Sequence, residues 1–309
     1  MALYQEVMLK MDQECVELFE KEAARRNMSL STFLQDAGLL CVAQEDAPPP
    51  SAGEKPRRKK KKLSPGEAEV IADRFITFLN TQLLACRDKP FSCRYSISPA
   101  NQASWLPEAL SCGESAEENY RMELLFHEKL MEALEKEDET LCLEVVRAAI
   151  DWGGVYYSRG VRKGNQQQVE KLGREGELLP VLRRSYRHIL SRELEKLEIF
   201  TSGWSIIWYL MDMEELFILS SRKIYALNKV IQAFQAAEGL SVLPPELDLG
   251  QLVYQGSPRY LEGVRYLYTQ KSKLILFKKC VRILGEIRQR GDFVHNKELD
   301  NLLFIMGDV

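Results

Sequence analysis

Apolar and polar positions alternate with period two at the start of the chain. Val7, Leu9 and Met11 fall on one side and Glu6, Met8 and Lys10 on the other, the pattern of a strand with one buried face. Asp12 ends this strand and is placed to cap a helix in which Val16, Leu18, Phe19, Ala23 and Ala24 recur at helical spacing. Arg26-Asn27-Met28 reads as a turn, since Asn tolerates the left-handed conformation at a helix end. A second helix follows, with Ser29 or Ser31 as its cap and Leu30, Phe33, Leu34, Ala37 and Leu40 as its apolar face. One strand and two short helices cannot close a core, because a lone strand leaves its backbone donors and acceptors unpaired. A second copy of the same strand supplies the partner, so residues 1–44 predict an intertwined homodimer joined through residues 3–43.

The pattern then breaks. Residues 45–63 read as a linker: Ala47-Pro48-Pro49-Pro50-Ser51-Ala52-Gly53 cannot hold a helix, and Lys55-Pro56-Arg57-Arg58-Lys59-Lys60-Lys61-Lys62 is a self-repelling block. Residues 64–309 predict a second, nearly all-α domain with no internal repeat. Ser64-Pro65-Gly66-Glu67 is a capping box with proline at the first helical position, opening a helix to about Cys86. Residues 87–113 carry Pro90, Pro99 and Pro107 and read as an irregular connection with a short strand at Ser92–Ile97. A second capping box, Ser115 to Glu118, starts a helix through Leu134, and another helix spans about Glu139 to Asp151, stopping at Gly153-Gly154. Further helical periods cover about Leu178–Phe200, Trp204–Met211, Leu216–Ala237, Arg259–Arg290 and Lys297–Met306. The fold class expected is thus mainly α, a short N-terminal strand followed by a multi-helix domain.

Composition narrows the function classes. The 309 residues are 45% hydrophobic, ample for a packed core, and the net charge of −3 provides no global field for nucleic acid or membrane. Any such attraction must be local. The seven cysteines (15, 41, 86, 93, 112, 142 and 280) include no C-x-x-C pair, which argues for reduced thiols and against a disulfide framework or zinc ribbon. No charged-then-apolar leader and no apolar run of membrane-spanning length are present, so a cytoplasmic protein without a membrane partner is expected.

The head resembles a ribbon-helix-helix domain of the antitoxin type, a prokaryotic family. The resemblance rests on Val7-Met8-Leu9-Lys10-Met11, Glu17-Leu18-Phe19-Glu20-Lys21-Glu22-Ala23-Ala24 and Met28-Ser29-Leu30-Ser31-Thr32-Phe33-Leu34. It implies that the outward ribbon residues Glu6, Met8 and Lys10 read base edges in the major groove. It also implies that Ser29, Ser31 and Thr32, at the start of the second helix, grip a phosphate. Residues 1–44 depart from the family in charge: four Lys/Arg face seven Asp/Glu, a poor balance for phosphates. Segment 45–64, with seven positive and three negative residues, supplies what the head lacks. Its Arg57, Arg58, Lys59 and Lys60 are expected to touch phosphates beside the ribbon. The plainer alternatives are a head that only dimerises and a solvated spacer.

Chemistry has little material. His127, His188 and His295 are too scattered for a metal site or a Ser-His-Asp triad, and neither a P-loop nor a Gly-x-Gly-x-x-Gly segment occurs. No metal, no cofactor and no catalytic residue is therefore assigned. One Gly-rich stretch, Asp151 to Asn165, interleaves Arg159, Arg162 and Lys163 with Tyr156 and Tyr157 before Asn165 can cap the next helix. Basic residues among aromatics suit phosphate and stacked-base contacts. Together with Thr201–Leu210, Phe217–Leu227 and the ending Leu302–Gly307, it resembles a group of uncharacterised bacterial proteins with W-G-G, S-G-[FW]-[TS]-K, I-Y-D-S-R-V and L-F-M-[IL]-G segments. More distantly, the middle segments are similar to helix-hairpin-helix DNA glycosylases, which place a catalytic lysine after a glycine turn and a catalytic aspartate on the following segment. Gly203 and Arg222 match, but Ile206 stands where the pattern has lysine and Ser220 where it has aspartate. Isoleucine forms no Schiff base, and neutral serine stabilises no oxocarbenium ion as a carboxylate would.

These features predict a homodimeric, non-catalytic DNA-binding protein, a regulator or an accessory factor of a mobile element or defence system. Its helical domain contacts DNA, through Arg159, Arg162, Lys163, Asn165 and Arg222, or a partner protein. The alternatives are a base-excision glycosylase using a displaced carboxylate, Asp212 or Asp151, and an interaction protein whose head only dimerises.

Overall fold

The computed structural model describes residues 63–91, 97–106, 115–156, 165–267, 269–293 and 295–308. All of them lie in the second of the two units into which the chain divides, Lys61–Val309. The expected ribbon-helix-helix head, the linker up to residue 62 and the expected strand before Ile97 lie outside the described residues. Those residues are mainly helical, with nine α-helices, two 3-10 turns and no strand among them.

Local chemistry sets the helix starts. Helix α1 (Pro65–Leu84) opens on the predicted capping box: the Glu67 backbone N–H donates to Ser64 Oγ, and Ser64 N–H donates to the Glu67 carboxylate at 2.8 Å. Helix α2 (Ala116–Lys136) repeats the device with Ser115 and Glu118. Glu137 then takes a left-handed φ of 56°, which ends α2 and lets Asp138 cap α3 (Glu139–Trp152). Helix α4 (Asn165–Glu175) is largely exposed and buries Val169 alone. Helix α5 (Leu178–Leu190) follows, then α6 (Ser202–Met211), α7 (Ser221–Ala237), α8 (Gln270–Gln289) and α9 (Asn296–Met306).

Three expected helices are shorter than their apolar periods suggested. The Leu178–Phe200 period breaks after Leu190, where Arg192 adopts a left-handed φ of 59° and Glu193 N–H donates to His188 O. The Leu216–Ala237 period begins as extended chain, because Ser220 caps Lys223 N–H and fixes the start of α7 at Ser221. The Arg259–Arg290 period is half loop: α8 starts only at Gln270, capped by Thr269, and Gly263 upstream has a φ of 77°. In each case a local cap or a left-handed residue prevails over apolar spacing.

Helix α6 is the organising element. Every residue from Gly203 to Met211 is buried, as expected of a helix apolar on all sides. It packs on α2, α3 and α5, while α7 and α9 pack on each other and on α1. Phe277 of α8 joins the two groups, its ring 4.9 Å from Phe200 and 5.2 Å from Phe217. The buried Trp204 and Trp208 rings stack at 5.4 Å, and each indole N–H finds an acceptor, Gln168 Oε1 and Ile199 O. Each such side chain contributes roughly 1.5–3 kcal/mol by leaving water. Among the described residues no helix is long and apolar enough to cross a membrane.

Candidate functional site

Two of the segments singled out by resemblance meet near the first turn of α6, while the ending packs on the start of α7, where a Cβ at Gly307 would collide with Arg222 O. A Cβ added at Gly153, where α3 ends, would collide with Ile206 Cδ1, and one added at Gly203 would collide with Asn165 Nδ2. Both glycines are therefore close-approach points between helices. Asn165 spends its side chain here: Nδ2 donates to Val155 O at 2.7 Å, and Oδ1 accepts from Thr201 Oγ1 at 2.6 Å. Gln166 N–H donates to Tyr156 O at 3.0 Å. Tyr156 itself is buried, and its hydroxyl donates to Glu170 Oε1 at 2.5 Å. Glu170 is gripped from the other side by both guanidinium donors of Arg147. Those donors hold the Glu170 carboxyl below its usual range, while burial and the neighbouring carboxylate push the Tyr156 hydroxyl up. The result is a closed neck in which residues 155–156 and 165–166 are clamped together. The chain between them, 157–164, carries Arg159, Arg162 and Lys163 and no carboxylate. These three expected contacts lie outside the described residues.

The two positions that would carry glycosylase chemistry are used for packing and capping. Ile206 is 2% exposed against Gly153. Ser220 Oγ accepts from Lys223 N–H at 3.3 Å as the cap of α7. The displaced carboxylates considered above are engaged as well. Asp151 Oδ2 accepts from Ser98 N–H, Ser98 Oγ and Asn101 Nδ2 at 2.8, 2.6 and 2.9 Å. Asp212 pairs with Arg192 at 2.7 Å and caps Glu215 N–H. Arg222 lies over the Phe304 ring at 3.7 Å, donates to Phe304 O and pairs with Asp308 at 3.1 Å. Its side chain is only 15% exposed, so it serves the α7–α9 junction.

A second cluster had no counterpart in the sequence reading. Two ion pairs cross the interior where α9 meets α2 and α7: Lys297 Nζ to Glu123 Oε1 and Lys223 Nζ to Asp300 Oδ1, both at 2.5 Å. Tyr209 Oη donates to Glu123 Oε2 at 2.9 Å, and Lys223 also donates to Ile218 O at 3.1 Å. Burial raises the Glu123 carboxyl above its ordinary range and lowers the Lys223 ammonium, each opposed by its own partner. Buried ionisable groups of this kind mark functional sites in some proteins and structural networks in others. Here every charge has a partner, and the four side chains are at most 12% exposed. The cluster bolts α9 to the body. Asn119, one turn before Glu123 on α2, is fully buried with neither carboxamide atom bonded.

The other expected contacts, Glu6, Met8, Lys10, Ser29, Ser31, Thr32, Arg57, Arg58, Lys59 and Lys60, lie outside the described residues. Each histidine faces a single acceptor: His127 Nδ1 lies 2.6 Å from Leu210 O, His188 lies near Glu193 and His295 near Glu214. Among the described residues no group of three or more His, Cys, Asp or Glu is placed to hold a metal ion. Cys86, Cys142 and Cys280 are buried free thiols, and burial pushes Cys142 up to about 12 and Cys280 further still. Comparison of the chain with protein-family models, curated proteins and solved structures finds no match.

Proposed function

We propose that the protein is a homodimeric DNA-binding protein without catalytic activity. Its N-terminal ribbon and basic linker engage duplex DNA, and its helical domain adds a phosphate contact through residues 157–164. The observation that carries the helical domain's part is the neck at Asn165. The residues on either side of 157–164, a stretch with three cations and no carboxylate in its sequence, are held together by Asn165, Tyr156 and Glu170. Anchoring both ends of a basic segment lowers the entropy lost when it meets a phosphate backbone.

The non-catalytic half of the reading is supported by the roles of Ile206 and Ser220. A lysine at 206 would place a charge against Gly153 in the α3–α6 contact, where burial disfavours it. Base excision needs a flipped base to meet a charged group at the sugar. Asp151 and Asp212, the candidates for a displaced carboxylate, are held by donors of this chain.

The test is a duplex titration with the full chain, run beside an abasic-site assay on damaged and modified duplexes. Salt-dependent binding with no abasic product is expected. Excision that vanishes on Asp151→Asn or Asp212→Asn would establish the enzyme reading instead. Absence of duplex binding would leave a head that only dimerises.

A further inference from the structure

Between α7 and α8 the chain builds an ordered loop around one side chain. Gln251 is 2% exposed and works at both ends. Its backbone N–H donates to Arg265 O at 2.8 Å, and its carbonyl accepts from Leu267 N–H at 2.9 Å. Its Nε2 donates to Leu261 O and Val264 O at 3.0 and 2.7 Å, and its Oε1 accepts from Leu261 N–H at 2.9 Å. One buried glutamine thus closes residues 251–267 into a compact loop, a class of segment that commonly carries function.

What the loop presents is basic and aromatic. Residues 251–273 contain Arg259, Arg265, Lys271 and Lys273 against the single carboxylate Glu262. Tyr254 is 68% exposed, although a buried scaffold residue stands only three positions before it. The Arg265 side chain is 66% exposed, and its pairing with Asp248 is loose at 3.9 Å, a contact that competes little with an incoming phosphate. Lys271 is exposed on the first turn of α8. Because Gln251 N–H is bonded to Arg265 O, Tyr254 and Arg265 are held within a few residues of one anchor. Three residues of chain reach at most roughly 11 Å.

We infer that this surface binds single-stranded nucleic acid, with Tyr254 stacking an unpaired base and Arg265 and Lys271 meeting the flanking phosphates. An exposed aromatic face with cations on the same stretch of chain is the pairing that single strands exploit, whereas a duplex keeps its base faces stacked. The inference goes beyond the duplex contacts proposed above and does not rest on them.

The experiment is fluorescence anisotropy of the full chain with a labelled oligo-dT strand and, in parallel, a labelled duplex, each over a salt series. Tyr254→Ser is expected to weaken single-strand binding about five-fold to a hundred-fold. The double variant Arg265→Ser/Lys271→Ser is expected to reduce the single-strand salt slope by about 1.4, near 0.7 per cation. All three positions are exposed, so the thermal midpoint should be unchanged. Single-strand affinity and slope equal to wild type in both variants, or a wild type that binds the duplex alone, overturns the inference and leaves the duplex reading standing. A wild type that binds only the single strand, through these residues, supports the inference and overturns the duplex reading.

Discussion

Ionic side chains inside this protein are worth more as pairs than singly. Removing Lys297 leaves the Glu123 carboxyl, 1% exposed, without its cation, and removing Glu123 strands Lys297. Either loss is expected to cost about 3–5 kcal/mol in denaturant unfolding. The triple variant Glu123→Leu/Lys297→Met/Tyr209→Phe removes both charges and the hydroxyl that depends on them, and should be neutral or up to about 4 kcal/mol more stable. A triple variant as unstable as Lys297→Met would mean that the network itself holds α9. The sign of the pH effect follows from the raised Glu123 carboxyl. Relative to Glu123→Gln, the wild type should be most stable below the ordinary value of 4.5 and lose that advantage as pH rises through the folded value. The exposed carboxylates Glu193, Glu195 and Glu198, held low chiefly by Lys196, Lys278 and Arg184, work in the opposite sense: their contribution is lost as pH falls. Little of this cluster was legible in the sequence, because Lys297 and Asp300 sit three apart on a helix like any solvated surface pair. Only the packing of α9 against α2 and α7 turns them inward.

Elements were read more successfully where their ends carry chemistry. The Ser64–Glu67 and Ser115–Glu118 capping boxes and the stop at Gly153-Gly154 fixed α1, α2 and α3 to within a residue or two. Apolar spacing alone overran: Tyr260, Leu261, Val264 and Leu267 mimic a helical stripe, yet Gln251 gathers them into a loop. The three glycine-bearing stretches were picked out by resemblance, and geometry gives each a packing role: a Cβ at Gly153, Gly203 or Gly307 would collide with Ile206, Asn165 or Arg222. Gly203→Ala forces the Asn165 carboxamide away from Val155 O and Thr201 Oγ1. It should destabilise by about 1–3 kcal/mol, as overpacking usually does, and weaken duplex binding if the neck presents residues 157–164. A variant that melts lower as expected yet binds normally would separate the neck from DNA contact. Ile206→Lys/Ser220→Asp restores the glycosylase pair in name only. It is expected to lower the thermal midpoint and to yield no abasic product, because position 206 lies inside the α3–α6 contact.

At the scale of the whole molecule, we propose a dimeric head joined to the helical domain through a basic linker. The proposed ribbon would bury Val7, Leu9 and Met11 against a second copy, so Leu9→Asp should give monomers in analytical ultracentrifugation. A dimer that survives this change would place the subunit contact elsewhere. The central claim is that the full chain holds duplex DNA through phosphate contacts, and the salt dependence of its affinity tests that most directly. With wild type, log K should fall linearly with log salt concentration. Replacing Lys59–Lys62 or Arg159, Arg162 and Lys163 by serine should flatten the slope by about 0.9 for each contacting cation removed, equally on unrelated sequences. A salt-independent affinity, or slopes unchanged in both variants, would contradict the account.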